Sequence, residues 1–550
     1  MCETIAKLVP VTHRIWQDTK AKMLPTPSKF HYVFNFRDIS RIWQGMLGMH
    51  ASGCQNVQTT VSLWKHECLR IISDRFTNQK DVKWFENRIH GIMLTDLGAE
   101  YEQQMLPEPC FADFMSGTGL SATHEDLLHT PKLYERIISF PSLSETLLHY
   151  QTAYNDTVRG PKLDLVFIKD CMLHIIRVSR IIRTPRGNAL LVGVRGAGKQ
   201  SVTRLASSIA GYVVFQIQLS CTYNTEKLIE DIKILYKLTG IKGKGVTFLL
   251  TENEIKSESF LEYINNILAT GEIGGLFSRE EIEEICHTML PVMKRDCPKS
   301  ILTNDAIYSH FINTVRANLH IVLCFSSVGE RFRQRVMKFP SILSGCTINW
   351  FMAWSSVALA AVADHFLGSL EIICTPEVKS NVIQMMGVVQ CCTESSCIDF
   401  FVRFRRQAFV TPISYISFLN SYRVLYEEKR KHFLDLSHHV ESGLHALVEI
   451  SSAMEQLSYE LEIKEKQIGI ICATLNSVLL EVTHAATVVS EANSGVMTVK
   501  SKANFFMDTI NAVKHSVDEK LATTIPSLAA AEVALLVYTY KHFLSSFYCC

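Results

Sequence analysis

Between Gly193 and Ser201 the sequence runs GVRGAGKQS, three glycines and a lysine at the spacing of a phosphate-binding loop. Such a loop reads G-x-x-x-x-G-K-[S/T]. Its glycines let the backbone approach phosphate oxygens, its N–H groups turn inward at a helix N-terminus, and its last hydroxyl holds Mg²⁺. Gly193, Val194, Arg195, Gly196, Ala197, Gly198 and Lys199 fit, with Lys199 set to neutralise the β- and γ-phosphates. Gln200 stands where the hydroxyl belongs, and Ser201 comes one position late. The loop is expected to bind ATP or ADP.

Hydrolysis asks for more. The strand beside a P-loop normally ends in Asp-Glu, one carboxylate on the metal side and one orienting the attacking water. The matching run here, VTFLLTEN (Val246 to Asn253), ends in Thr251-Glu252. Glu252 is the candidate catalytic base, whereas Mg²⁺ is left with Gln200, Ser201 and Thr251, neutral ligands that suit a hard cation poorly. Binding with slow or absent turnover follows. Further on, HIVLCFSS ends in Ser326 and Ser327, candidate sensors of the γ-phosphate. Arg331, Arg333 and Arg335 come next, and Arg333 or Arg335 is a candidate arginine finger toward a neighbouring nucleotide.

These residues need a scaffold, and the texture of the chain supplies one. Residues 1 to about 110 place apolar side chains three and four apart, as in DISRIWQGML, which predicts helices entered through the proline-bearing LPTPSKF. Residues 111–145 read as a connection. From about 146, the runs ALLVGV, YVVFQIQL, VTFLLT and HIVLCFSS alternate with helical patterns, which predicts a parallel sheet flanked by helices over 146–350. WFMAWSSVALAAVA, Trp350 to Ala363, is too short to cross a bilayer and reads as a buried helix. From Val440 an apolar residue recurs at every seventh position through Val517, twelve heptads that predict a coiled-coil helix of roughly 120 Å.

Composition sets outer bounds. A chain of 550 residues holds two to four structural units, and 47% hydrophobic content is ample for a core. A net charge of +1 argues against a general electrostatic grip on nucleic acid or membrane. The 17 cysteines form no disulfide framework, CCTESSC has no partner pair at zinc-finger spacing, and MCETIAKLVP has no secretory pattern. A reduced intracellular setting is expected.

Together these pieces resemble the dynein heavy chain motor, a ring of six AAA+ modules in one polypeptide. PTPSKFHYVFNFRDISRIWQGML resembles the lid of the third module, with Arg37 at the position of its nucleotide-contacting arginine. RTPRGNALLVGVRGAGKQSVTRLAS, LLTENEIKSESFLEYINNILATGEIGGLF and VGERFRQRVMKFPSILSGCTINWF are similar to the core of the fourth. AFVTPISYISFLNSY resembles its lid, and the heptads with EKLATTIPSLAAAEVAL resemble the outgoing stalk helix. The GKQS and TENEIK variants look axonemal. The resemblance implies an α/β AAA+ P-loop module at 146–350, a preceding lid at 1–110, its own lid at 351–426, a stalk helix at 427–535 and a divergent tail at 536–550.

The function so implied is regulatory: ATP or ADP binding, with Mg²⁺, that couples ring state to the stalk of a microtubule motor in the cytoplasm and the ciliary axoneme. Its partners would be the rest of the ring, the returning stalk helix and other dynein chains, with microtubules reached only through a tip beyond this sequence. Neither nucleic acid nor membrane is expected. Two departures stand out: Ile413 and Ser414 occupy the lid position where Arg37 stands in the preceding one, and LVYTYKHFLSSFYCC does not continue the stalk pattern. The chain reads as a middle section of a motor. The competing readings are a free-standing regulatory P-loop ATPase that oligomerises through its coil, and a non-catalytic coiled-coil protein with a vestigial pocket.

Overall fold

The one-sided apolar spacing at the N-terminus closes on itself as a helical bundle. Helices α1 (Cys2–Lys22), α2 (Phe36–Leu47), α3 (Val57–Ile72), α4 (Gln79–Asp96) and α5 (Ala99–Gln104) surround a core that includes Leu8, Ile15, Ile42, Trp64, Phe76 and Phe85. The proline-bearing segment separates α1 from α2, and Asp38 then accepts the Asn35 N–H at 2.9 Å, partnering a donor at a helix start. These observations come from a computed structural model, which describes residues 2–115, 133–158, 162–220, 222–296, 303–327, 329–368, 370–488 and 500–520.

The connection holds more order than its composition suggests. Strands β1 (Phe111–Ala112) and β2 (Glu135–Arg136) pair antiparallel, and α6 (Phe140–Thr157) follows. The predicted strands then appear as β3 (Ala189–Val192), β4 (Val213–Gln216), β5 (Val246–Thr251) and β6 (Leu319–Phe325), joined by β7 (Thr347–Trp350). All neighbours are parallel, in the order β4-β5-β6-β3-β7. Helices α7 (Lys169–Arg183) and α8 (Lys199–Ala210) cover one face. On the other lie α9 (Thr225–Tyr236), α10 (Glu258–Ala269), α11 (Arg279–Asp296), α12 (Asn304–Asn318), α13 (Glu330–Lys338) and α14 (Ser341–Gly345). Alternation along each strand divides the core accordingly. Leu190, Phe248, Leu250 and Leu323 face one side, whereas Leu191, Leu249, Val322 and Cys324 face the other.

One expectation is corrected here. Trp350 to Ala363 is not a single helix: Trp350 ends β7, and α15 (Ser356–Gly368) begins six residues later. The β-branched Thr347 and Ile348 pair beside Ala189 and Leu190, so sheet closure overrides the apolar run that follows. Helix α16 (Pro376–Phe404) packs on α15, and α17 (Pro412–Val488) is continuous across the lid–stalk boundary expected at 426/427.

The chain divides into two units, Met1–Ser421 and Tyr422–Cys550. In the second, α17 carries the heptad seam on a single helix, with Met454 and Leu461 exposed and Leu447 and Ile468 half-buried. Residues 500–520 are also helical. Val489, Val496 and the tail 536–550 lie outside the described residues. No helix among the described residues is long and apolar enough to cross a membrane.

Within the first unit, charged groups join the N-terminal bundle to the sheet. The fully buried Glu67 accepts from Arg70 at 2.7 and 2.8 Å and from the Tyr134 hydroxyl at 2.8 Å. Arg180 of α7 lies over the Tyr134 ring, 4.2 Å from its centroid, and donates to the Gly45 carbonyl. Arg177 of α7 pairs with Asp74 at 2.9 Å. Burial pushes the Asp74 carboxyl up to about 6 even though Arg177 and Arg70 oppose it.

Candidate functional site

Val192 ends a fully buried strand and Lys199 opens α8, so residues 193–198 must turn between the end of an interior strand and a helix N-terminus. The Gly193 N–H donates to the Phe325 carbonyl at 3.2 Å, which ties the loop to the tip of β6. Gly196 and Gly198 sit at φ +80 and +78, the left-handed region where a side chain would be strained. A Cβ at Gly193 would lie 2.6 Å from Phe351 Cβ, and one at Gly196 would lie 2.5 Å from Ile413 Cβ. Glycine is required at both for the loop to nest under its neighbours.

Lys199 turns back into the loop, its Nζ donating to the carbonyls of Gly193 at 2.7 Å and Val194 at 2.8 Å. Burial pushes this ammonium down to about 8, opposed by Cys324 on β6 and Glu252 just past β5. Cys324 itself is pushed up to about 12 by burial, against the pull of Lys199.

Glu252 follows β5 directly, and its Oε2 accepts the Ser326 N–H at 3.3 Å. Thr251 is buried, and its N–H donates to Glu254 Oε2 at 2.7 Å. Glu254 Oε1 accepts from Gln216 at 2.5 Å, and the Gln216 carbonyl oxygen accepts from Arg204 at 2.6 Å. This relay joins α8, β4 and β5 behind the cradle. Gln200 is exposed, while Ser201 and Ser327 are half-buried.

A cleft of about 960 Å³ brings together Arg195 to Ser201, Thr251, Glu252 and Ser326. Leu165, Val166, Phe366, Ile413 and Ile416 supply an apolar wall, so the cleft offers cradle and apolar slot side by side. Its floor includes His174, stacked on Phe351 at 3.8 Å and bonded through Nδ1 to Asn349 at 3.0 Å. Burial lowers His174 to about 3, so the ring is neutral.

The other predicted residues lie apart from the cradle. Arg37 donates to the Ser344 carbonyl at 2.7 Å, beside a second cavity of about 490 Å³. Arg41, Arg180, Arg186 and Arg316 also line that cavity, and no Asp or Glu among the described residues does. On α13, Arg331 and Arg333 are exposed, whereas Arg335 points inward to Glu258 at 3.0 Å and Glu252 at 3.7 Å. Sequence reasoning missed Gln216, Glu254, His174 and Asn349. None carries a motif of its own, although Glu254, two residues after Glu252, stands within the TENEIK stretch.

A glycine loop on a central strand, an acid at the tip of β5, a serine at the tip of the strand between them and helices beside the cleft define a P-loop module of the AAA+ class. Residues 163–425 match the family described as P-loop containing dynein motor region D4, and residues 8–103 match the AAA+ lid domain. Mouse dynein axonemal heavy chain 5 is 48% identical over 97% of this chain, a stretch that is 12% of that protein's length. Human dynein axonemal heavy chain 8 is 47% identical over 91% of the chain, with 11% of its own length covered. The dynein gamma chain of the Chlamydomonas reinhardtii flagellar outer arm is 33% identical over 97% of the chain and is covered over 12%.

The chain belongs to the dynein heavy chain family and carries part of its AAA+ motor region. The motor-region match implies a nucleotide-binding module, and the heavy-chain relatives imply a part of a larger motor assembly.

Proposed function

We propose that this module binds ATP or ADP as a regulatory site of an axonemal dynein motor, with weak or absent hydrolysis of its own. The carrying observation is the intact cradle of Gly193 to Lys199 beside a metal side without its usual groups, Gln200 for a hydroxyl and Thr251 for a carboxylate. The cleft residues fit a nucleotide: left-handed glycines, a buried ammonium and an apolar wall. Mg²⁺, when bound, would screen phosphate charge, held by Ser201, Gln200 and Thr251. Glu252 is the base candidate, with Ser326, whose N–H reaches it, and Ser327 as the sensor candidates.

In the whole heavy chain, nucleotide state would pass through the lid into the stalk helix and contribute to microtubule-based movement in the ciliary axoneme. The rest of the ring, the returning stalk helix and other dynein chains are the proposed partners, with microtubules reached through the tip. Arg333, exposed on α13, and Arg37, in the arginine-lined cavity, would serve the preceding module's nucleotide. Phosphate release under saturating ATP tests the reading. Bound analogue with release near the protein-free background supports it; turnover at the roughly 1–100 s⁻¹ of working phosphoryl-transfer enzymes overturns it.

Proton linkage gives a second test. The Lys199 ammonium, lowered to about 8, loses its charge as pH rises through that value. Nucleotide affinity is therefore expected to hold from pH 6 to 7 and to fall between pH 8 and 9.5, as calorimetric titration at each pH would read. In the nucleotide-free chain the sign reverses. The unfolded lysine holds its proton up to about 10.5, so this group's stability penalty lessens between pH 8 and 10.5.

A further inference from the structure

We infer that Arg335 acts on its own module as a positioning residue that keeps the Glu252 carboxylate engaged and so unavailable to a water at the cradle. The inference rests on the nucleotide reading above and adds a second cause of slow turnover. Glu252 is held through both oxygens: Oε2 accepts the Ser326 N–H at 3.3 Å, and Oε1 lies within ion-pair range of the Arg335 guanidinium at 3.7 Å, beyond hydrogen-bond distance. A carboxylate that orients water must turn a lone pair toward the cradle, and the pull of Arg335 opposes that turn.

Arg335 is fixed in this pose. Its side chain is only 11% exposed, its Nε donates to Glu258 of α10 at 3.0 Å, and α13 is seated by the buried Phe332 and Val336. Arg331 and Arg333 on the same helix, by contrast, are exposed. The contact joins the β5 tip, the β6 tip and α13. A shift of α13 or of the β6 tip would loosen that hold on Glu252.

Phosphate release from γ-labelled ATP by the full 550-residue chain tests this. Arg335→Gln is expected to accelerate release about fivefold, the scale of a partly exposed ion pair, with affinity for a fluorescent ATP analogue unchanged. Adding Glu252→Gln should remove the gain. Glu258→Gln leaves the Glu252 contact in place and should release phosphate at the unaltered rate, whereas a merely structural arginine would make the Glu258 and Arg335 variants behave alike. If Arg335→Gln does not fold, Arg335→Lys, which cannot span both carboxylates, takes its place in the same assay. Release that is unchanged or slower in a variant that still binds overturns the inference and leaves the nucleotide reading standing. Failure of the unaltered chain to bind the analogue overturns both.

Discussion

Replacing Lys199 with alanine is expected to weaken binding of a fluorescent ATP analogue by roughly a hundredfold, the scale of losing charge-assisted bonds in a shielded site. The physical ground is the position of the ammonium. It sits buried at the N-terminus of α8, satisfied by the carbonyls of Gly193 and Val194, with Glu252 the carboxylate acting on it from β5. Phosphate oxygens entering the loop would take over those hydrogen bonds and complete a charge that burial has already made costly. Alanine leaves the glycine turn in place but removes the buried ammonium held inside it. Fluorescence anisotropy reads the affinity, and circular dichroism checks that the fold survives. No binding in either protein would mean that the cleft is vestigial, and equal binding would mean that Lys199 does not hold the nucleotide.

Glu67→Ala is expected to cost the first unit about 3–5 kcal/mol, the range for breaking a buried ion pair and stranding its partner. Arg70 is buried with Glu67 as the carboxylate it donates to, and Tyr134 would lose its acceptor as well. Burial pushes the Glu67 carboxyl up, but the Arg70 guanidinium and its neighbours outweigh this and hold it below its ordinary 4.5. The sign follows: a depressed folded value gives stability that is present above pH 4.5 and lost as pH falls through the folded value. Urea unfolding at pH 7 measures the loss, and the same series at falling pH should show the two proteins converge. A difference under about 1 kcal/mol at pH 7 would reduce the cluster to an ordinary surface pair.

The cradle was legible because its chemistry is written in adjacent residues. Gly193, Gly196, Gly198 and Lys199 carry both the motif and the turn, and four apolar runs located four of the five strands. The fifth was not legible. Thr347 to Trp350 is four residues long, and its strand character comes from pairing with β3, 158 residues away. The Glu67 cluster and the Gln216–Glu254 relay escaped for the same reason, since their partners are gathered from distant elements. Arg335 shows the limit most plainly. Its spacing from Arg333 marks both as equal candidates, and only the burial of Phe332 and Val336 decides which of the two faces inward.

The contact between Gly196 and Ile413 has its own consequence. Where the N-terminal bundle carries Arg37, the start of α17 meets the loop through Ile413, an aliphatic side chain that nests over a bare Cα. Dispersion contacts of that kind carry no charge with which to count phosphates, and salt does not screen them. On the nucleotide reading proposed above, such a lid would register where the loop lies, not how many phosphates the loop holds. Its closure should therefore be nearly indifferent to ionic strength and alike for diphosphate and triphosphate, the behaviour of a latch rather than of a gauge.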